Sequence, residues 1–132
     1  MEYILKRMRD IRHLYMVRDT DMKKVLVIAG PTASGKSGFA VECAKRFNGE
    51  IISGDSIQIY RGLDIGSAKI REEEKQGIVH HLIDIKDAGE SYSVKEFQAL
   101  GRELIDDISE RGKLPIVAGG TGLYIKALLY DY

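Results

Sequence analysis

The chain has 132 residues, and its 20 Lys and Arg are balanced by 20 Asp and Glu, so it carries no whole-chain signature of a nucleic-acid binder, although a local basic patch would suffice. Its apolar fraction of 44% suits one domain with a buried core, and its single cysteine precludes an internal disulfide. The longest apolar runs fall far short of the roughly 20 residues a membrane-crossing helix needs, and the first residues are too charged for a secretory signal, so a soluble cytoplasmic protein is expected.

In residues 1–22, Ile4, Met8, Ile11 and Tyr15 fall at helical spacing and predict an amphipathic helix ending near Asp19. Lys6, Arg7, Arg9, Arg12 and Arg18 give this extension a mild basic bias. Packing on the domain or on a second copy of the chain is its plain reading, and contact with RNA or a membrane surface is the other. We divide the chain into this helical extension, residues 1–22, and a core domain, residues 23–132.

The apolar run Val25-Leu26-Val27-Ile28-Ala29 reads as a strand, and Gly30-Pro31-Thr32-Ala33-Ser34-Gly35-Lys36-Ser37 follows it directly. These eight residues fill every position of the G-x-x-x-x-G-K-[ST] pattern, with a helix-like stretch behind them. Glycines let the backbone curl so that several N–H groups face phosphate oxygens, and the next helix adds its positive N-terminus. Lys36 supplies a mobile cation and the Ser37 hydroxyl a ligand for Mg²⁺. A diphosphate or triphosphate is therefore expected here. Cys43 lies within the helix and reads as packing.

Residues 50–53 form a short strand that breaks at Gly54, and the chain stays turn-rich through Gly62 and Gly66. Ligands bind beyond the carboxyl ends of strands in open α/β sheets, which makes Asp55 a candidate catalytic group, although loop aspartates commonly bond their own backbone. Glu72-Glu73-Glu74-Lys75 reads as a solvated helical turn, and residues 81–85 as a third strand. Neighbours on a strand point to opposite faces, so His80 and His81 are not expected to chelate one ion but to make one buried and one surface contact. Asp84, near that strand's end, reads equally as a cap or a metal ligand. From Ser93, a predicted N-cap with Glu96 three residues on, Val94, Phe97, Leu100, Leu104, Ile105 and Ile108 recur at helical spacing up to a Gly112 C-cap. Residues 114–118 form a fourth strand, followed by Gly119-Gly120-Thr121-Gly122 and a helix over 123–129. Strands alternating with helices predict a parallel sheet of about four strands, flanked by helices. Its last strand lacks the terminal Asp with which many nucleotide-hydrolysing proteins hold Mg²⁺.

Four ordered blocks resemble the tRNA dimethylallyltransferase (isopentenyltransferase) family: 30–37; Ile52-Ser53-Gly54-Asp55-Ser56-Ile57-Gln58-Ile59-Tyr60-Arg61-Gly62 continuing to Lys69; His80-His81-Leu82-Ile83-Asp84; and Gly119-Gly120-Thr121-Gly122-Leu123-Tyr124. The resemblance runs from about Val25 to Tyr130. It implies a P-loop NTPase-like α/β fold and transfer of a dimethylallyl group from dimethylallyl diphosphate to the N6 amine of the adenosine beside the tRNA anticodon. By matching position, Asp55 would be the general base, and Asp55, Ser56, Ile57, Gln58 and Thr121 would contact the tRNA. Thr121 would lie beside the acceptor, and Lys69 would reach the diphosphate. Tyr60 and Tyr124 would line the pocket or pack in the core.

Ile70 and Ala88 stand where the family often has proline, and Gly54 where it commonly has alanine or valine. Members continue well past this point with a further strand, an arginine-bearing segment and a helical insertion. The resemblance therefore covers the N-terminal portion of such an enzyme. It implies a sheet incomplete at its C-terminal end, self-association through an exposed edge, and weak or absent activity of the portion alone. An adenylate isopentenyltransferase, a small-molecule P-loop kinase and a catalytically dead binding module are the alternatives.

Overall fold

The computed structural model describes residues 2–7, 14–20, 23–29, 36–54, 59–62, 72–87, 89–119 and 128. Strands β1 (Glu2–Arg7), β2 (Leu14–Thr20) and β3 (Lys23–Ala29) come first, followed by helix α1 (Lys36–Phe47) and strand β4 (Gly49–Ser53). A single helical turn, α2 (Glu72–Lys75), precedes the two-residue strand β5 (His80–His81). The long helix α3 (Val94–Glu110) and strand β6 (Leu114–Gly119) complete the described elements.

The six strands form one sheet in the order β1-β2-β3-β6-β4-β5. The four expected parallel strands are present: β3 pairs with β6 from Leu26↔Ile116 to Ala29↔Gly119, β6 with β4 from Leu114↔Gly49 to Ala118↔Ser53, and β4 with β5 at Ile51↔His80 and Ile52↔His81. Alternating residues of these strands face two helices. Leu26, Ile28, Ile51 and Ile116 pack on one face with Ala40, Val41, Cys43 and Ala44 of α1. Val25, Val27, Ile52 and Val117 pack on the other with Phe97, Ile105 and Ile108 of α3 and with Leu128. Strands covered on both faces read as continuous apolar runs, which is why residues 25–29 and 114–118 are recognisable from sequence.

Residues 1–22 depart from expectation. Instead of an amphipathic helix they contain two strands: β1 pairs antiparallel with β2 from Glu2↔Asp19 to Arg7↔Leu14, and β2 pairs antiparallel with β3 from Leu14↔Ala29 to Thr20↔Lys23. Tyr3-Ile4-Leu5 and Leu14-Tyr15-Met16-Val17 are short continuous apolar runs rich in aromatic and β-branched residues, a strand pattern, and the helical spacing merely sampled positions from them. The outer edge of β3 also presents unpaired backbone groups that a helix would leave unsatisfied and β2 pairs.

The third strand is shorter than expected and ends at His81. Leu82 and Asp84 have φ of 65° and 58°, left-handed conformations in which a strand cannot continue. The backbone turns instead to meet residues 59–61: Ile85 and Lys86 N–H donate to the Ile59 carbonyl at 2.9 and 3.0 Å, and Arg61 N–H to the Lys86 carbonyl at 2.7 Å. By contrast, α3 is bounded as its sequence predicts. The Ser93 hydroxyl accepts from Glu96 N–H at 3.1 Å. At the other end, Lys113 N–H returns to Ile108 and Gly112 N–H to Ser109, a two-bond Schellman closure with Gly112 at φ 77°. The helix predicted over 123–129 lies outside the described residues except for Leu128, which is helical.

Candidate functional site

Three of the four blocks leave the sheet side by side. Ala29, the residue before the glycine-rich loop, pairs with Gly119, and Ser53, the residue before Gly54, pairs with Ala118. The loops following β3, β6 and β4 therefore start from adjacent positions on one carboxyl edge, the place where open α/β sheets bind ligands. Gly54 N–H donates to the Ala118 carbonyl at 2.8 Å, extending the β4–β6 ladder past Ser53. A Cβ on Gly119 would stand 3.0–3.1 Å from the Gly54 backbone, so glycine is what permits this approach. Phe97, fully buried, supports the crossing from the α3 side.

Lys36 and Ser37 are the first two residues of α1, and the first turn holds no acidic residue. The helix therefore opens at the expected point, with no carboxylate of its own first turn set against its positive end. Gly30, Pro31, Thr32, Ala33, Ser34 and Gly35 lie outside the described residues, as do Asp55, Ser56, Ile57, Gln58, Lys69, Thr121 and Tyr124. Tyr60, in the middle of the second block, is half-buried and held by a parallel bridge to Lys86. That bridge joins the second block to the segment following His80 and His81 of β5. Lys86 itself pairs with Glu96 at 2.6 Å, which raises its pKa, and lies 5.9 Å from the Tyr92 ring centre.

Both histidines are half-buried, and each is engaged. His80 Nδ1 donates to the Ile78 carbonyl at 3.0 Å, and burial lowers its pKa. His81 Nε2 lies 2.7 Å from Glu50 Oε1. Asp84 is exposed, in the left-handed turn after β5. Among the described residues there is no group of three or more His, Cys, Asp or Glu able to hold a metal ion. Cys43 is buried against β3 and β6, and desolvation raises its pKa, as a packing thiol requires.

Sequence reasoning missed a buried ionic cluster centred on Glu50, whose side chain is 3% exposed. Arg111, at the C-cap of α3, grips it through two N–H donors at 2.6 and 2.9 Å, and Arg111 also pairs with Asp107 at 3.0 Å. Lys113 approaches Glu50 at 3.5 Å. The Arg111 bonds, reinforced by His81, outweigh desolvation and hold the Glu50 carboxyl at a pKa of about 2. A signal was available: a glutamate directly before Ile51-Ile52, within a short strand covered on both faces, needs a partner.

Among the described residues no helix is long and apolar enough to cross a membrane. The parallel sheet, the helix opening behind β3 and the three loops on one edge define an α/β protein of P-loop NTPase-like fold. A family model described as IPP transferase matches residues 58–132, and the chain belongs to that family. It is 64% identical over 110 residues to the tRNA dimethylallyltransferase of Anoxybacillus flavithermus, covering 83% of this chain and 35% of that protein. The enzyme of the same name from Enterococcus faecalis is 61% identical over 111 residues, covering 84% of this chain and 36% of the relative. The chain thus spans about a third of these relatives' length. Among solved structures, the tRNA isopentenylpyrophosphate transferase of Bacillus halodurans superposes with a TM-score of 0.77 at 57% identity, over 80% of this chain and 35% of that one. A eukaryotic dimethylallyltransferase acting on tRNA superposes with a TM-score of 0.76 at 41% identity, over 80% of this chain and 26% of its own.

Proposed function

We propose that this chain forms the diphosphate-binding and acceptor-binding portion of an enzyme that moves a dimethylallyl group from dimethylallyl diphosphate to the N6 amine of the adenosine 3′ to a tRNA anticodon. The observation that carries this is the departure of three matching blocks from adjacent strands at one sheet edge, in a chain 64% identical to a protein named for that reaction. The reaction balances simply. The N6 lone pair forms the new C–N bond at C1 of the dimethylallyl group, the C1–O bond breaks with its electron pair going to diphosphate, and the N6 proton goes to the Asp55 carboxylate. An adenine amine is a poor nucleophile, so a base accepting its proton as the bond forms lowers the barrier.

Backbone N–H groups of the glycine-rich loop, the α1 N-terminus and Lys36 stabilise the charge growing on diphosphate, where electrostatic help counts most. Ser37 offers an oxygen donor in a helix turn free of carboxylates, so it fits a hard cation whose remaining ligands are phosphate oxygens and water. Ser37 would hold Mg²⁺ there, and the ion would supply positive charge against the leaving diphosphate. Thr121 stands beside the acceptor, and Lys69 reaches the diphosphate. The target base must be splayed out of its loop to present its amine.

Calorimetry and a single-turnover assay test this together. Dimethylallyl diphosphate should bind at least as well as ATP, Lys36→Ala should weaken it, and labelled dimethylallyl transfer to an anticodon stem-loop should fall by about 100-fold or more in Asp55→Ala. Preference for ATP would favour a kinase, and faster transfer to free AMP an adenylate isopentenyltransferase. Residues 1–132 alone bind diphosphate weakly and transfer slowly in this reading, so robust multiple turnover would refute that part.

A further inference from the structure

We propose that the N-terminal hairpin is a displaceable cover over the outer edge of β3, occupying the place that the next parallel strand of this right-handed α/β alternation would take. This rests on the topology and on family membership, not on the transfer chemistry. From β3 the chain crosses to β4 through α1, moving toward β5 on the Leu26–Ile116 face of the sheet. From β5 it returns to β6 through α3, moving the opposite way on the opposite face. Opposite directions on opposite faces give both crossovers one hand, as expected where parallel connections are almost always right-handed.

The segment leaving β6 fixes the next step. Leu128 is helical and buried in the α3-face core, where a Cβ on Gly101 would meet its Cδ1 at 2.6 Å, and its carbonyl accepts from Arg102 Nε at 3.3 Å. Leu128 therefore places the chain beyond β6 on the α3 face. A crossover of the same hand on that face moves from β6 toward β3, and both edges of β6 are already paired. The first position it can fill is the far side of β3. There β2 lies, antiparallel, with its whole length from Leu14 to Thr20 in register on β3. The two strands cannot share that edge, because each β3 N–H and C=O directed outward has one ladder position.

The relatives have the length for such a strand, since about two thirds of each has no counterpart in this chain. Where the following strand is present it displaces the hairpin; where it is absent the hairpin shields an edge that would otherwise recruit another chain. The hairpin's occupancy reduces the apparent strength of strand insertion by the fraction of molecules in which it is undocked.

Cross-linking reports the choice directly. Cysteine pairs Leu14→Cys with Ala29→Cys, and separately Tyr15→Cys with Ile28→Cys, are placed in a Cys43→Ala background, two adjacent registers being used because antiparallel pairs alternate in spacing. Each is made in the 132-residue chain and in an in-frame fusion of that chain to the remaining part of the Enterococcus faecalis relative. At least one pair should oxidise nearly completely in the chain alone and by about a tenth as much or less in the fusion. Equal oxidation in both, or none in the chain alone, overturns the proposal. Val17→Pro, which removes a ladder bond from β2, provides a readout independent of the cysteines. It should lower the melting temperature of the chain and leave that of the fusion unchanged; an equal drop in both overturns the proposal. Neither readout requires transferase activity, so failure of the proposed reaction would leave this result interpretable.

Discussion

Replacing Glu50 with glutamine tests whether the buried ionic cluster holds the sheet to α3. The carboxyl's pKa falls from 4.5 to about 2, chiefly through the Arg111 bonds, which corresponds to about 3 kcal/mol of preference for the ionised form in the folded protein. Because the folded pKa is depressed, this stabilisation is complete above about pH 4.5 and is lost as pH falls toward 2. At pH 3, roughly 2 kcal/mol of it should already be gone. Glu50→Gln keeps the shape but leaves Arg111 without its counter-charge. Arg111 is 42% exposed and remains hydrated, so the cost should fall at or below the lower end of the 3–5 kcal/mol typical for breaking a buried pair, about 2–3 kcal/mol at pH 7. Urea unfolding followed by far-ultraviolet circular dichroism, at pH 7 and pH 3, measures both quantities. The gap between wild type and Glu50→Gln should narrow to about 1 kcal/mol or less at the lower pH. A gap of the same size at both pH values, or one below about 0.5 kcal/mol at pH 7, would refute the reasoning.

The glycines at the site edge should respond differently. Gly119→Ala puts a Cβ 3.0–3.1 Å from the Gly54 backbone, which cannot rotate away, and should cost about 1–3 kcal/mol in urea unfolding. Gly54→Ala meets nothing closer than 3.6 Å and should leave stability unchanged or raise it by up to about 1 kcal/mol. Cys43 should resist a thiol reagent in the native protein and react promptly in denaturant, because burial both shields it and raises its pKa; rapid native labelling would contradict its packing role.

What was legible in the sequence was what local chemistry determines. Ser93 and Gly112 bound α3 because a hydroxyl cap and a left-handed glycine act within a turn of the helix they end. The parallel strands show as apolar runs because both faces are covered. The N-terminal strands were obscured because Ile4, Met8, Ile11 and Tyr15 also fit a helical period, and no local period reports the vacant ladder of β3 that β2 pairs, although the two strands are consecutive in the chain. The short β5 was equally opaque: residues 81–85 look strand-like, and only the competing hydrogen bonds from residues 59–61 turn the chain. At the site, motif residues were recognisable by type and order, while the partnership of Glu50 with Arg111, 61 positions apart, was a property of the fold.

The contact between Gly54 and Gly119 bears on how such a site can open. Two strand ends meeting backbone to backbone have no side chain between them that can change rotamer, and a ladder bond at 2.8 Å ties them together. The joint is therefore inextensible along the line from one strand end to the other. The sheet edge thus acts as a fixed plate from which the segments after β4 and β6 depart at a set separation.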